Sequence, residues 1–307
     1  NTRVSGSSGE MALQEQALFK AEEFVEKAEK AQRKWSLFSG TQKYEDAAEY
    51  YEKAATQYKI AKKFRESGDN YLKAAQLSEQ IKNLHEACSF YVNAGKAYKQ
   101  VAPEETQRVF HIAIKMHMEN NRFSTAAKLY KEIAELCVED HDLSNAIVNY
   151  DNAADCYMTE NSTTTANQCR LKVAHFSAHL EDYKRAIEIY EEVAVSSLDN
   201  SLLKWSVKDY YFKAMLCHLC LGAQNNDVDS AEVALEKYRD LHPQFENTRE
   251  CKFVQNLLIA CKDLEVEKFT DLIYEFDSIS KLDDWKTRIL FQVKNEMKRQ
   301  DDEPDFA

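Results

Sequence analysis

A tyrosine recurs at a spacing of 20 residues through much of this chain, and this repeat constrains the fold more than any other feature. The spacing holds for Tyr51, Tyr71 and Tyr91, and it resumes for Tyr130, Tyr150 and Tyr190. A large apolar residue lies seven positions before each of these tyrosines, and small or apolar residues lie three and four positions after it. His111 and Arg170 occupy the two intermediate positions. A fixed period of this kind is the signature of a repeat architecture.

Each repeat predicts one amphipathic helix followed by a short turn. The apolar positions fall on one helical face, and the alanines and glycine late in the repeat allow a neighbouring helix to approach closely. Two repeats make a helical hairpin of about 40 residues, a longer relative of the 34-residue tetratricopeptide (TPR) hairpin. Because one such helix cannot bury its apolar face alone, we predict an all-α, TPR-like superhelical sheet of stacked antiparallel hairpins. The chain is long enough for two domains, or for one solenoid with a capping bundle.

The N-terminal residues 1–10, NTRVSGSSGE, are typical of a vector-derived extension, so the first helix is expected near residues 12–33. No apolar run approaches the ~20 residues of a membrane span, and no signal peptide follows Met11. We therefore expect a cytosolic chain.

Charge and cysteine content exclude some functions. The net charge of −12 argues against a general nucleic-acid binder, although it leaves room for a local basic face. The eight cysteines mostly occupy predicted helix faces in a large chain, so we expect buried free thiols rather than disulfides.

The sequence offers little support for catalysis. It contains no glycine-rich phosphate loop, no G-x-S-x-G and no HExxH motif. His175 and His179 lie on one helical face but have no evident third ligand, and Cys217 and Cys220 have no second thiol pair. We therefore expect no enzyme activity, no metal, no cofactor and no small-molecule substrate.

Three surface features are candidates for binding. The first is the segment between the first two helices, where Trp35, Leu37 and Phe38 either cap the hairpin or form an apolar tip that touches a membrane. Partial insertion of three such side chains would give marginal, reversible anchoring.

The second candidate is a set of basic residues at turns or helix starts that could face an acidic partner. Its members are Arg122, Lys128, Lys172, Lys204, Lys208, Arg249 and Lys252. The third is the acidic C-terminal segment, where Asp301, Asp302, Glu303 and Asp305 precede Phe306. The alternative for the basic residues is ordinary solubilising charge, and the alternative for the acidic segment is a disordered, inert tail.

Several local motifs, in order along the chain, resemble the α-SNAP family of soluble NSF attachment proteins. They include AAQL at 74–77, GKAY at 95–98, SLLKWSVKDYYFKA at 201–214, TRECK at 248–252 and EFDSIS at 275–280. The resemblance runs from about Met11 to Ala307. It implies a sheet of hairpins over 11–205 and a C-terminal helical bundle with an acidic tail over 206–307.

The resemblance also implies a function. Members of this family are adaptors that bind assembled SNARE bundles, syntaxin-type helices among them, and recruit the hexameric AAA+ ATPase NSF. NSF then disassembles the bundle with ATP and recycles SNAREs after membrane fusion in vesicle-mediated transport. The chain would be cytoplasmic and peripheral on the cytosolic face of membranes.

The family roles map onto the three surface features. The membrane loop corresponds to Trp35, Leu37 and Phe38. The residues that contact SNAREs correspond to Arg122, Lys128, Lys172, Lys204, Lys208 and Arg249. The NSF-binding tail corresponds to Asp301, Asp302, Glu303, Asp305 and Phe306, with phenylalanine in the position of the family's leucine.

The repeat by itself fits a second hypothesis equally well. A generic TPR-like scaffold that binds peptides or helices in another trafficking pathway would show the same helical ladder. The apolar loop and the acidic, apolar tail favour the adaptor, because a generic scaffold needs neither.

Overall fold

The computed structural model describes residues 4–33, 40–200 and 202–302 of the chain. Within these ranges it contains fourteen α-helices, one short 3-10 helix and no strand. The helices are α1 Val4–Arg33, α2 Gln42–Ile60, α3 Phe64–Gln80, α4 Leu84–Tyr98, α5 Pro103–Glu119, α6 Phe123–Glu139, α7 Leu143–Thr159, α8 Thr163–His179, α9 Tyr183–Leu198, α10 Val207–Asn225, α11 Val228–Leu241, α12 Arg249–Lys262, α13 Val266–Ile279 and α14 Asp284–Asp302, with the 3-10 helix at Lys204–Ser206. The predicted all-α fold of helical hairpins is confirmed.

The helix starts follow the repeat. Five helices, α3, α4, α6, α7 and α9, begin at the apolar residue that lies seven positions before a repeat tyrosine. The first helix is different, because it begins at Val4 rather than near residue 12. Once a helix is nucleated, each further residue adds a hydrogen bond, so the helix extends through residues with weak propensity. The vector origin of residues 1–10 stays a prediction.

The turns between the repeat helices share one backbone conformation. The residue two positions before the next helix has a positive φ at Lys62, Lys82, Asn121, His141, Asn161 and Glu181. The following residue donates its N–H to a carbonyl five positions earlier, as from Asn83 to Ser78 at 2.8 Å. This is the Schellman arrangement, which usually places glycine at the positive φ. Here it is built without glycine, so the turns were not recognisable from composition.

Contacts divide the chain into two compact units. Unit 1 comprises Asn1–Asp142 and Asp155–Ser162, and unit 2 comprises Leu143–Ala154 and Thr163–Ala307. The boundary predicted between residues 205 and 206 stays a prediction.

The core of unit 1 is built from the repeat positions. Tyr51 and Tyr91 are buried, and the small residues that follow them are fully buried. The fully buried ring of Phe110 in α5 lies directly on Gly95 of α4, where a β-carbon would overlap it. The small residue therefore permits close helix contact, as the repeat predicted.

The core of unit 2 is rich in aromatic pairs. The rings of Tyr211 and Tyr238 stack with centroids 4.5 Å apart, and those of Phe253 and Phe276 stack at 4.2 Å. Trp285 of α14 is buried, and its Nε1 donates to the carbonyl of His175 in α8 at 3.1 Å. This contact fixes the start of α14 against α8.

The eight cysteines are buried free thiols, as predicted. Burial raises the pKa of most of these thiols, including Cys217 and Cys220, which keeps them protonated near neutral pH. In the part of the chain that the structure describes, no helix is both long enough and apolar enough to cross a membrane.

Candidate functional site

The six basic residues predicted to face a partner are all exposed to solvent. Unit 1 contributes Arg122 and Lys128, and unit 2 contributes Lys172, Lys204, Lys208 and Arg249.

In unit 1, Arg122 occupies the turn before α6, and Lys128 lies on the second turn of that helix. The backbone N–H of Arg122 donates to the carbonyl of His117 at 2.8 Å, which fixes the turn. The carboxylate of Glu160 accepts from the backbone N–H of Ser124 at 3.0 Å and from its hydroxyl. These hydrogen bonds lower the pKa of Glu160, so an ionised carboxylate holds the start of α6. Both basic side chains thus project from a fixed helix start.

In unit 2, three of the basic residues lie near the starts of α10 and α12. Lys208 Nζ contacts the Glu250 carboxylate at 3.1 Å, and Glu250 is next to Arg249 in the chain. Lys204 lies one helical turn before Lys208, in the 3-10 helix. The ion pair therefore joins the starts of α10 and α12, where Lys204, Lys208 and Arg249 lie, and we refer to these three residues as the basic cluster.

Lys172 has different neighbours in unit 2. It lies in α8 beside His175, whose ring stacks on Trp285 with centroids 5.6 Å apart. Burial, followed by the positive charges of Lys172, Lys213 and His179, lowers the pKa of His175 to about 4. The imidazole is therefore neutral near pH 7.

Two exposed apolar residues at the basic cluster were missed by the sequence analysis. Leu202 and Trp205 flank Lys204, and each is 85% exposed. Exposed aromatic residues next to cations are common in protein interfaces. Trp205 is part of the 201–214 motif, but the spacing of apolar residues alone could not show that its side chain points to solvent.

Two of the predicted sites lie wholly or mostly outside the described residues. Trp35, Leu37 and Phe38 fall outside them, as do Glu303, Asp305 and Phe306 and the side chain of Asp302. Asp301 is described at the end of α14, where it is exposed and lines a surface groove with Lys294 and Lys298.

The histidine pair has protein partners rather than a metal geometry. His179 Nε2 lies 2.8 Å from Arg288 Nη1, which donates to it, while His175 packs on Trp285. In the described ranges, no three His, Cys, Asp or Glu side chains come together as a metal site.

Comparison with known proteins gives consistent results over nearly the whole chain. The family model described as "Soluble NSF attachment protein, SNAP" matches residues 19–298. The alpha-soluble NSF attachment protein of Dictyostelium discoideum is 48% identical over 285 residues, which cover 92% of this chain and 97% of that protein. The protein of the same name from Vitis vinifera is 42% identical over 286 residues, covering 93% and 97%.

A fungal relative extends the similarity. The vesicular-fusion protein SEC17 of Coprinopsis cinerea is 43% identical over 277 residues, covering 89% of this chain and 94% of that protein. The resemblance seen in the motifs is therefore confirmed, and the chain belongs to the soluble NSF attachment protein family.

Proposed function

We propose that this chain is an adaptor that binds assembled SNARE complexes, recruits the ATPase NSF and stimulates ATP-driven SNARE disassembly. The observation that carries the proposal is the family match over residues 19–298, together with relatives aligned over almost their full length. The relatives are named for NSF attachment and for vesicular fusion.

The SNARE contact is assigned to the six exposed basic residues and to the apolar pair beside the basic cluster. Lysine and arginine on a rigid helical scaffold suit an acidic helical bundle, since charge complementarity gives orientation and fast association. Trp205 is 85% exposed and adds an aromatic anchor next to Lys204. The basic cluster of unit 2 therefore combines steering charges with an apolar contact.

The membrane and NSF contacts are assigned to the two segments named above. Trp35, Leu37 and Phe38 provide weak, reversible membrane attachment, which raises the local concentration of adaptor near membrane-bound SNAREs. The acidic segment with Phe306 provides the contact to NSF. Several weak contacts made at once give a strong assembly.

The test is a reconstituted disassembly reaction with NSF, ATP and a preassembled SNARE complex. With this chain present, we expect the SNARE complex to disassemble only when ATP is hydrolysed. An absence of ATP-dependent disassembly with partners from the same source would refute the proposal.

Charge reversal tests the basic surface. Lys128→Glu combined with Lys204→Glu should weaken SNARE binding by at least about tenfold, because two attractive contacts become repulsive. Lys115→Glu combined with Lys184→Glu changes the net charge equally at exposed positions outside the assigned set, and it should bind nearly as well as the parent chain. Equal loss in both double variants, measured in pull-down assays at physiological salt, would contradict the assignment.

Substitution of Phe306 tests the tail. Phe306→Ala should reduce stimulation of NSF while SNARE binding is kept, because it removes the large aromatic side chain of the acidic segment. Phe306→Leu restores the residue type of the family and should keep the stimulation. If the alanine variant stimulates NSF normally, the tail assignment is wrong.

A further inference from the structure

A groove between α4 and α5 of unit 1 has the size of a small-molecule site. It encloses about 360 Å³, within the range of roughly 300–1,000 Å³ that is usual for such sites. His85 and Lys96 of α4, His117 of α5 and Arg122 line it, together with the amide of Asn93. None of the described residues that line it is acidic, in a chain whose net charge is −12. The groove is therefore a local positive site on an acidic protein.

The nearby carboxylates of Glu86 and Glu132 bind partners outside the groove. Glu86 follows His85 in the chain, but its carboxylate accepts from Asn83 Nδ2 at 2.8 Å and from the Ser78 hydroxyl at 3.3 Å. Glu132 pairs with Lys99, which lies outside the groove, at 3.6 Å. Among the described residues, neither Lys96 nor Arg122 has an ion-pair partner. The positive charge of the groove is not neutralised within the described part of the protein.

His85, His117 and Arg122 lie together near the C-terminal end of α5, close enough for their charges to affect one another. Burial lowers the pKa of His117, and the positive charges of Arg122 and His85 lower it further. His117 Nε2 also lies 3.4 Å from Cys88 Sγ, which positions the ring at the groove wall. An anion placed between these groups would relieve their repulsion.

We propose that this groove binds an anion carrying more than one phosphate group, the chemistry of a phosphorylated inositol. The planar guanidinium of Arg122 matches the geometry of phosphate oxygens, and Lys96 supplies a second positive charge. His85 and Lys96 are separated by about three helical turns, roughly 16 Å of helix, so two phosphates rather than one would engage both ends. The groove shares Arg122 with the residues assigned to the SNARE contact, but the inference rests on the groove and not on that assignment.

Calorimetry on the full chain tests the site with three probes. Inositol 1,4,5-trisphosphate should bind measurably, inorganic phosphate more weakly, and citrate, which carries three carboxylates, more weakly than the trisphosphate. Arg122→Gln should weaken trisphosphate binding by about tenfold and Lys96→Gln by several-fold, since each removes a charge-assisted contact. Lys115→Gln removes the same charge from an exposed position of α5 outside the groove and should change binding less than about twofold.

Nuclear magnetic resonance gives a readout at the site itself. Saturating trisphosphate should raise the pKa of the His117 imidazole, because an adjacent anion stabilises the protonated ring. An unchanged His117 titration, equal binding of citrate, or equal effects of Lys115→Gln and Arg122→Gln would each overturn the proposal.

Vesicles distinguish the two sources of the anion. Phosphatidylcholine vesicles with about 5% phosphatidylinositol 4,5-bisphosphate should be bound in an Arg122-dependent manner if the ligand is a lipid head group. Binding of the free trisphosphate without vesicle binding supports the same site with a soluble ligand. If neither probe binds while SNARE binding is intact, this site is refuted and the adaptor function is unaffected.

Discussion

At the scale of single residues, the repeat tyrosines occupy equivalent positions but have different surroundings. The hydroxyl of Tyr91 donates to Glu79 Oε2 at 2.7 Å. Tyr190 is 1% exposed, and among the described residues its hydroxyl has no hydrogen-bond partner. A buried hydroxyl without a partner destabilises the folded state, whereas a paired one contributes modestly to it.

Substitution of the two tyrosines should therefore have opposite effects. Tyr190→Phe should raise the free energy of unfolding by about 1 kcal/mol, because it removes a buried polar group without a partner. Tyr91→Phe should lower it by about 1 kcal/mol, because it removes a hydrogen bond. Urea denaturation followed by circular dichroism measures both, and a loss of stability in Tyr190→Phe equal to that in Tyr91→Phe would contradict this interpretation.

At the scale of elements, close contact between α4 and α5 depends on one glycine. Alanine is the better helix former, by about 1 kcal/mol relative to glycine. At Gly95, however, a β-carbon would overlap the ring of the fully buried Phe110. The contact between helices therefore outweighs local propensity at this position.

Alanine at this position should be destabilising. Gly95→Ala should lower the free energy of unfolding by about 1–3 kcal/mol, since overpacking forces α4 and α5 apart. Gly9→Ala is the control, because Gly9 lies within α1 and, among the described residues, no atom outside its own helix lies within 4 Å of the added β-carbon. Thermal denaturation should show a higher or unchanged midpoint for Gly9→Ala, and a stabilised Gly95→Ala would show that the helices are not in tight contact.

At the scale of the whole molecule, two half-buried groups in unit 2 link stability to pH. Contacts with His218, Lys237 and Tyr238 lower the pKa of Glu191 to about 2, so its contribution is present above the ordinary carboxyl pKa and is lost as pH falls toward 2. His175, with a pKa of about 4, is held neutral by burial. Its contribution is present above the ordinary imidazole pKa of about 6.5 and is lost as pH falls from there toward 4.

Mild acid should therefore destabilise the protein through His175. Between pH 7 and pH 5, the free energy of unfolding should fall by about 2 kcal/mol from this residue alone, because the unfolded chain binds the proton more tightly. His175→Phe keeps an aromatic ring against Trp285 but has no imidazole to protonate. Its free energy of unfolding should therefore lack this fall between pH 7 and pH 5. Urea titrations at several pH values measure the free energy of unfolding of both proteins. Its pH dependence should be the same in the two proteins between pH 7 and pH 8. The same pH dependence below pH 6.5 as well would refute the assignment.

Much of the architecture was predictable from the residues. The helix starts at Phe64, Leu84 and Phe123 follow from the spacing of apolar residues, because helical periodicity is a local property of the chain. Burial of the eight cysteines followed from their positions on helix faces. Membership of the family followed from motifs such as the one at 201–214.

Other features depended on contacts between helices. The glycine-free turns with positive φ at Lys82 and Glu181 were not predictable, because the helix that follows imposes that conformation on residues with no preference for it. The same holds for the exposure of Trp205, since period alone does not say which apolar residue a neighbouring helix covers.

The sequence by itself determined the number, length and apolar faces of the repeat helices, and it determined the family. Only the tertiary structure decided that Lys208 joins α12 through Glu250 and that His85, His117 and Arg122 share a groove in which no described lining residue is acidic. It also decided that Gly95 lies under Phe110. The physical reason is that hydrophobic periodicity acts within one helix, whereas the meeting of distant side chains depends on how neighbouring helices pack.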